Sequence, residues 1–430
     1  MVDCDQTPKR SSKDRGSAGE GTSDVGNASG AGEASKSQRA GGAGLLVAAG
    51  AAAIGSAALF VREIIARRRA LELDVGRVAT VSDVILGGSG FAGMFQPITD
   101  AEVSEILSCA LELGIRDVDT APHYGLGLSE ERIGAFISSR PLLKPGETPL
   151  RVWTKVGRLV RTRADVAPAG PIPRDSVQWD NAADSPTSIF KGVPPDRIPV
   201  LDYSAAGART SFAESRKRLH CPSGDWNQAG APGAIVGLRV HDCESDAVLE
   251  AAGGEDGAIA SLASLRAAGK IKHAGIGVND ASYAMRALHM RGGDIDVVMI
   301  AGSWNLLDQS ALSLLLHCQR KGIAVHNAGI FASGLLVGGD TYRYAPAPRM
   351  MVDRARRWRA LCGKHGCGVV EAAVAFALLP KAVTKIAVGV KSCGELTANV
   401  HAVRKAANVP AALWREAIRE GLLPRALRLT

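Results

Sequence analysis

The sequence predicts an α/β chain folded as a (β/α)8 TIM barrel, and three observations predict it. From about Val78 onward, short apolar, β-branched runs alternate with helical patterns, and the strand count reaches eight. Chemistry-bearing side chains fall at the C-terminal ends of consecutive strands, where barrels build their sites. The competing doubly wound sheet lacks its entry turn. Gly88-Ser-Gly-Phe-Ala-Gly93 has the G-x-G-x-x-G spacing, but Pro97 follows in a loop, not in a helix that could receive a pyrophosphate.

Strands are expected near 81–86, 115–119, 150–155, 235–240, 271–278, 297–300, 323–325 and 385–388. Their continuous apolar character suits parallel strands buried on both faces. Helices are expected near 100–113, 130–138, 211–219, 259–268, 281–289, 309–319, 353–364, 371–379 and 395–406. One segment breaks the rhythm: 161–202 is rich in Pro, Asp, Arg and Ser. It leaves the C-terminal end of the third strand, so it is expected to cover the mouth of the barrel. A second polar, Gly-rich patch at 221–233 precedes a strand and is expected to be inert.

Ahead of the barrel domain (71–430), residues 1–40 are Ser, Gly, Lys and Asp with almost no large apolar side chain, which predicts a disordered arm. Residues 41–61 carry no charge. Two readings fit this stretch. It is long enough for a single-pass transmembrane helix, which takes about 20 residues, and Gly44, Ala48, Ala52 and Ser56 would suit helix packing in lipid. It also reads as an Ala-rich linker or part of a targeting segment. Under the first reading, Arg62, Arg67, Arg68 and Arg69, against Lys36 and Arg39 on the other side, place the barrel in the cytosol. The expected location is cytoplasmic, membrane-tethered only if that helix forms.

A net charge of +8, spread without tracts or interleaved aromatics, argues against nucleic acid as a partner. A basic surface around a polyanionic cofactor explains it more simply. The eight cysteines show no C-x-x-C pair and no metal-ligand spacing, and Cys109 lies inside the apolar run Ile-Leu-Ser-Cys-Ala-Leu. Buried free thiols in a reducing compartment are expected, and no metal site.

The richest stretch runs from Asp117 to Gly134. Asp119 closes a strand, Tyr124 stands on the Gly-rich loop after it, and Ser129 and Glu130 open a helix. An acid and a phenol so placed suggest proton chemistry. A phenol, ordinarily near pKa ~10, can give or take a proton if a cation and a carbonyl-polarising neighbour flank it. Trp153-Thr-Lys155 ends the third strand with a lysine, and Val240-His241-Asp242 ends the fourth with a histidine. Any one of these reads as easily as a surface or satisfied core group. Their joint placement points to a site.

On these residues the chain resembles the aldo/keto reductase family, over roughly 78–409. The resemblance implies that Tyr124 is the acid in reduction and the base in oxidation. Lys155 would lower its pKa, Asp119 would pair with Lys155, and His241 would orient the carbonyl. It implies an NADP(H) cofactor, or NAD(H), and a small aldehyde or sugar substrate. In Gly275-Ile-Gly-Val-Asn-Asp280, Asn279 stands where the family binds the nicotinamide carboxamide, with Val278 in place of the usual Ser. In Gly389-Val-Lys-Ser-Cys-Gly-Glu395-Leu-Thr-Ala-Asn399, Lys391 and Ser392 would meet a 2′-phosphate, and Glu395 and Asn399 the adenine.

Residues 325–331 hold no tyrosine for the nicotinamide to stack on, and Ala301 replaces a common glutamine. Lys-Val-Gly-Arg (155–158), Asp202-Tyr-Ser204 and Ala-Gly-x-x-x-Leu-Leu-Asp-Gln (301–309) resemble the sub-branch of aldose 1-dehydrogenases and pyridoxal dehydrogenases. The expected function is a nicotinamide-dependent oxidoreductase interconverting an aldose or aldehyde carbonyl and its alcohol or lactone. Two other classes remain open: a non-catalytic, cofactor-binding barrel acting as a membrane-tethered sensor or partner-binding subunit, and a Schiff-base barrel using Lys155.

Overall fold

The structure, a computed structural model, describes residues 71–73, 77–144, 146–166, 172–221, 225–227, 231–425 and 427–429. The expected arm (1–40) and apolar segment (41–61) lie outside the described residues. Among the described residues no helix is long and apolar enough to cross a membrane.

Eight parallel strands close into a barrel: β1 (Val84–Gly87), β2 (Asp117–Asp119), β3 (Leu150–Val156), β4 (Gly233–His241), β5 (His273–Val278), β6 (Val297–Ala301), β7 (Ala324–Ala328) and β8 (Val383–Gly389). Each pairs with its neighbour in chain order, and β8 returns to β1. All eight fall where the alternating pattern places them. The first begins later than expected because Val81–Asp83 wind into a 3-10 turn, in which Asp83 Oδ2 accepts the Thr80 N–H at 2.8 Å.

The helices around the barrel are α1 (Asp100–Glu112), α2 (Leu128–Ser138), α3 (Ala205–Arg218), α4 (Asp246–Gly253), α5 (Ala258–Ala267), α6 (Ala281–Arg291), α7 (Leu312–Lys321), α8 (Arg349–Lys364), α9 (Val369–Ala377), α10 (Cys393–Lys405) and α11 (Ala411–Arg419). A capping box starts α1: Thr99 Oγ1 accepts the Glu102 N–H, and Glu102 Oε2 accepts the Thr99 N–H at 2.7 Å. Helices α4 and α11 escaped the pattern; both are short, and α4 is mostly Ala, Gly and acid. Helix α3 starts six residues early because the Ser204 hydroxyl caps it, accepting from the Gly207 N–H at 3.0 Å.

The segment 161–202 is not a bare loop. Arg158–Thr162 and Arg197–Leu201 pair as an antiparallel hairpin, and Leu159, Val177, Ala182, Ile198 and Val200 form a small core of their own. Gly157 makes the turn out of β3 at φ +105°, where a Cβ would fall 2.4 Å from the Tyr203 ring.

The apolar core lies between strands and helices. Inside the barrel the filling is polar at its centre: Asp117, Asp119, Trp153, Lys155, Arg239 and His326 are all buried. Asp117 accepts from Arg151, from Lys385 at 2.8 Å and from Trp153 Nε1–H at 3.0 Å. Gly237, opposite Trp153 on β4, leaves room for the indole, since a Cβ there would sit 2.3 Å from the ring.

One expectation is overturned. Cys109 of α1 and Cys393, the first residue of α10, form a disulfide with Cα atoms 5.9 Å apart. They are 284 positions apart in sequence. Barrel closure sets α10 against α1, a proximity that no cysteine spacing reveals. Cys221, Cys243, Cys318, Cys362 and Cys367 are free thiols.

Candidate active site

The C-terminal ends of β2, β3 and β4 bring Asp119, Lys155 and His241 to one end of the barrel, and the loop after β2 adds Tyr124. Lys155 is 2 % exposed, and its ammonium donates to Asp119 Oδ1 at 2.6 Å, to the Thr120 carbonyl at 2.8 Å and to Tyr124 Oη at 3.1 Å. A cation held by a carboxylate and touching a phenol oxygen is the arrangement that stabilises a phenolate. The His241 ring meets the Tyr124 ring edge to face, with centroids 5.8 Å apart. Its Nε2 lies 3.5 Å from Asp242 Oδ2, and its Nδ1 has no partner among the described residues.

Electrostatics sets the resting protonation states. Burial pushes the Tyr124 hydroxyl well above its ordinary value; Asp119 and Asp242 push it further, while Arg239 and Arg158 oppose them. Burial pulls Lys155 down and Asp119 holds it up. His241 is driven well below the usual histidine range by burial and then by Arg158, Lys155 and Arg239. The resting site therefore presents a neutral phenol and a neutral imidazole.

Sequence reasoning missed several residues around this centre. Phe190, from the segment between β3 and α3, lies against both His123 and Tyr124, with ring centroids 5.9 and 6.4 Å away. It is held there by pairing with the β1–α1 loop: the Phe95 N–H donates to Ile189 O and the Lys191 N–H to Gly93 O. The segment thus covers the tyrosine. His123, also against Phe190, is held neutral by burial. Arg158 pairs with Asp242 at 2.8 Å, and Asp242 itself has a left-handed φ of 45°. Arg239 was legible: it sits two residues before His241 on β4, hence on the same face. Nothing in the sequence marks Phe190.

Asn279 stands just past the end of β5. Its side-chain amide donates to Asp242 Oδ1 at 3.3 Å and Glu244 Oε2 at 3.1 Å, and Ser303 Oγ donates to its backbone carbonyl. Beyond β8, Ser392 caps α10 by accepting the Glu395 N–H at 3.2 Å. Lys391 extends to Gln96 Oε1 at 3.3 Å, and its N–H donates to Glu395 Oε2. Asn399 follows Glu395 by one helical turn and so shares its face. Trp304, by contrast, is a core residue, buried and stacked on Phe376.

Comparison with known proteins identifies the family. Residues 83–411 match the model of the aldo/keto reductase family. The chain belongs to the aldo/keto reductase family. It is 33 % identical over 345 residues to a D-threo-aldose 1-dehydrogenase of Pseudomonas sp., covering 79 % of this chain and 93 % of that protein. It is 32 % identical to a pyridoxal 4-dehydrogenase of Microbacterium luteolum, covering 80 % and 95 %. In fold it resembles an aldo-keto reductase of Bacillus halodurans, with a TM-score of 0.55, 20 % identity and coverage of 82 % and 97 %.

This aldo/keto reductase is an NAD(P)-dependent oxidoreductase. The donor set suits a dinucleotide. A lysine and the capped N-terminus of a 13-residue helix suit a phosphate. The carbonyl oxygen of the Asn279 side chain has no protein partner among the described residues, so it can accept from a carboxamide.

Proposed function

We propose that the protein oxidises the anomeric carbon of a free aldose, or a comparable aromatic hemiacetal, to a lactone, and that the same residues reduce small aldehydes to their alcohols with the hydride moving the other way. The activities of its D-threo-aldose 1-dehydrogenase and pyridoxal 4-dehydrogenase relatives support the substrate class. The observation that carries the chemistry is the Lys155 ammonium bridging Asp119 and the Tyr124 hydroxyl at 2.6 and 3.1 Å.

In oxidation Tyr124 Oη takes the hydroxyl proton while the C–H bond breaks and its electron pair leaves carbon as hydride. In reduction Tyr124 returns the proton to the carbonyl oxygen. The bound nicotinamide accepts or supplies that hydride. Lys155 stabilises the phenolate, neutral His241 orients the substrate oxygen, and Phe190 excludes water from the reacting centre. Its three oxygen partners keep Lys155 a proton-bearing cation, which disfavours a Schiff-base role.

The test is absorbance of the reduced cofactor over a panel of free aldoses and aromatic aldehydes, with each of the four cofactor forms. Turnover of an aldose with stoichiometric cofactor reduction is expected. Cofactor binding with no turnover on any of them would favour the sensor reading instead. At the phosphate end, Lys391→Ala should weaken NADPH about tenfold, the loss of a charge-assisted contact worth ~1.5 kcal/mol, and leave NADH nearly unchanged. Fluorescence titration measures both; equal losses would remove the 2′-phosphate from Lys391.

A further inference from the structure

Arg239 is among the largest fully buried side chains of the protein, and the acid/base centre alone gives it no task. It lies in register with Lys155 across β3 and β4. Its Nη1 donates to Asp119 Oδ2, the oxygen that Lys155 leaves free, and its Nη2 meets His326 Nδ1 at 2.6 Å. The guanidinium lies over the Trp153 ring, 4.6 Å from its centroid, and Gly237 gives that ring its room. Built this way, the arginine cannot swing away from Asp119.

We propose that Arg239 is a positioning residue for the proton-transfer tyrosine: by taking half of the Asp119 carboxylate, it leaves the Asp119–Lys155–Arg239 trio with one net positive charge beside Tyr124. Without it, Asp119 and Lys155 would cancel and the phenolate would face no net cation. Arginine suits the task because its guanidinium stays charged even when buried. The other charged or titratable groups facing Tyr124 are Asp242 and His241 from the end of β4, Arg158 at the start of the hairpin, His123 beside it, and Tyr344 from the turn at 343–344. Arg158 is already paired with Asp242, so Arg239 is the cation left to tip the balance. The directions agree: Arg239 lowers both Tyr124 and Lys155.

This inference rests on Tyr124 as the acid/base group, and the test separates the two. The pH profile of kcat/KM for aldose oxidation is measured on the wild type, Arg239→Met, Arg239→Gln and Arg239→Lys, with folding followed by circular dichroism. Loss of the charge should move the alkaline-rising limb up by about one pH unit, the low end of what a nearby charge does to a pKa. Arg239→Lys should restore most of the wild-type profile. Cofactor affinity should stay within about twofold, since none of the cofactor residues touches Arg239. If Arg239→Met does not fold, Arg239→Gln keeps a hydrogen bond to Asp119 without the charge and reads the same limb. A folded neutral variant that loses rate equally at every pH, with the limb unmoved, would make Arg239 a core filler and overturn the proposal. A Tyr124→Phe enzyme with wild-type turnover would remove both readings together.

Discussion

Tyr124→Phe should lose about 10²- to 10⁴-fold in kcat, the range expected for a positioned acid or base, and should keep its affinity for the cofactor. The phenol oxygen stands beside a buried cation, with the Lys155 ammonium at 3.1 Å. Removing it leaves the Lys155 ammonium on Asp119 and Thr120, so the fold survives. The wild-type pH dependence follows from the sign of the shift. Because burial first, and then Asp119 and Asp242, raise Tyr124 well above its ordinary value, the acid form persists through neutral and mildly alkaline pH. Reduction, which uses that form, should be flat across this range. Oxidation uses the phenolate and should climb with pH, up to about tenfold per unit. Stopped-flow rates in both directions measure this. A Tyr124→Phe enzyme that still oxidises aldoses, or an oxidation rate indifferent to pH, would refute the role.

Much of the fold was legible because barrel strands are short apolar runs in a regular rhythm, and all eight appear where the alternation puts them. The elements that escaped had a local reason. The β3–α3 segment folds around five apolar residues dispersed among Pro, Asp and Arg, too thin a pattern to announce a hairpin. The Cys109–Cys393 pair depends on which helices become neighbours, a tertiary fact.

At the site, Asp119, Tyr124, Lys155 and His241 could be singled out because strand ends are countable positions. Arg239 could have been: an arginine inside Ile-Val-Gly-Leu-Arg-Val-His is an anomaly in a buried strand. Phe190 could not, because a residue far along an irregular segment reaches Tyr124 only through the backbone pairing at Met94.

Asp119→Asn should destabilise the protein more than Lys155→Met, although either change should abolish most activity. The carboxylate serves two buried cations, one on each oxygen: Lys155 and Arg239, whose side chains are 2 % and 0 % exposed. Asparagine cannot neutralise either of them. Its amide oxygen can still accept from one of them, but otherwise lysine has only Thr120 O and Tyr124 Oη, and arginine only His326 and the Trp153 face. Breaking a buried pair from one side costs about 3–5 kcal/mol because a charge is left uncompensated, and here two charges are left facing each other. Lys155→Met is gentler, since Asp119 keeps Arg239 and the methionine fills the vacated aliphatic space. Urea unfolding followed by tryptophan fluorescence compares the midpoints, and the order Asp119→Asn below Lys155→Met below wild type is expected. If instead Lys155→Met were the less stable of the two, the arginine would not be balancing the carboxylate in the folded barrel. Asp119 would then belong to the lysine alone, as a simple ion pair at the foot of the tyrosine.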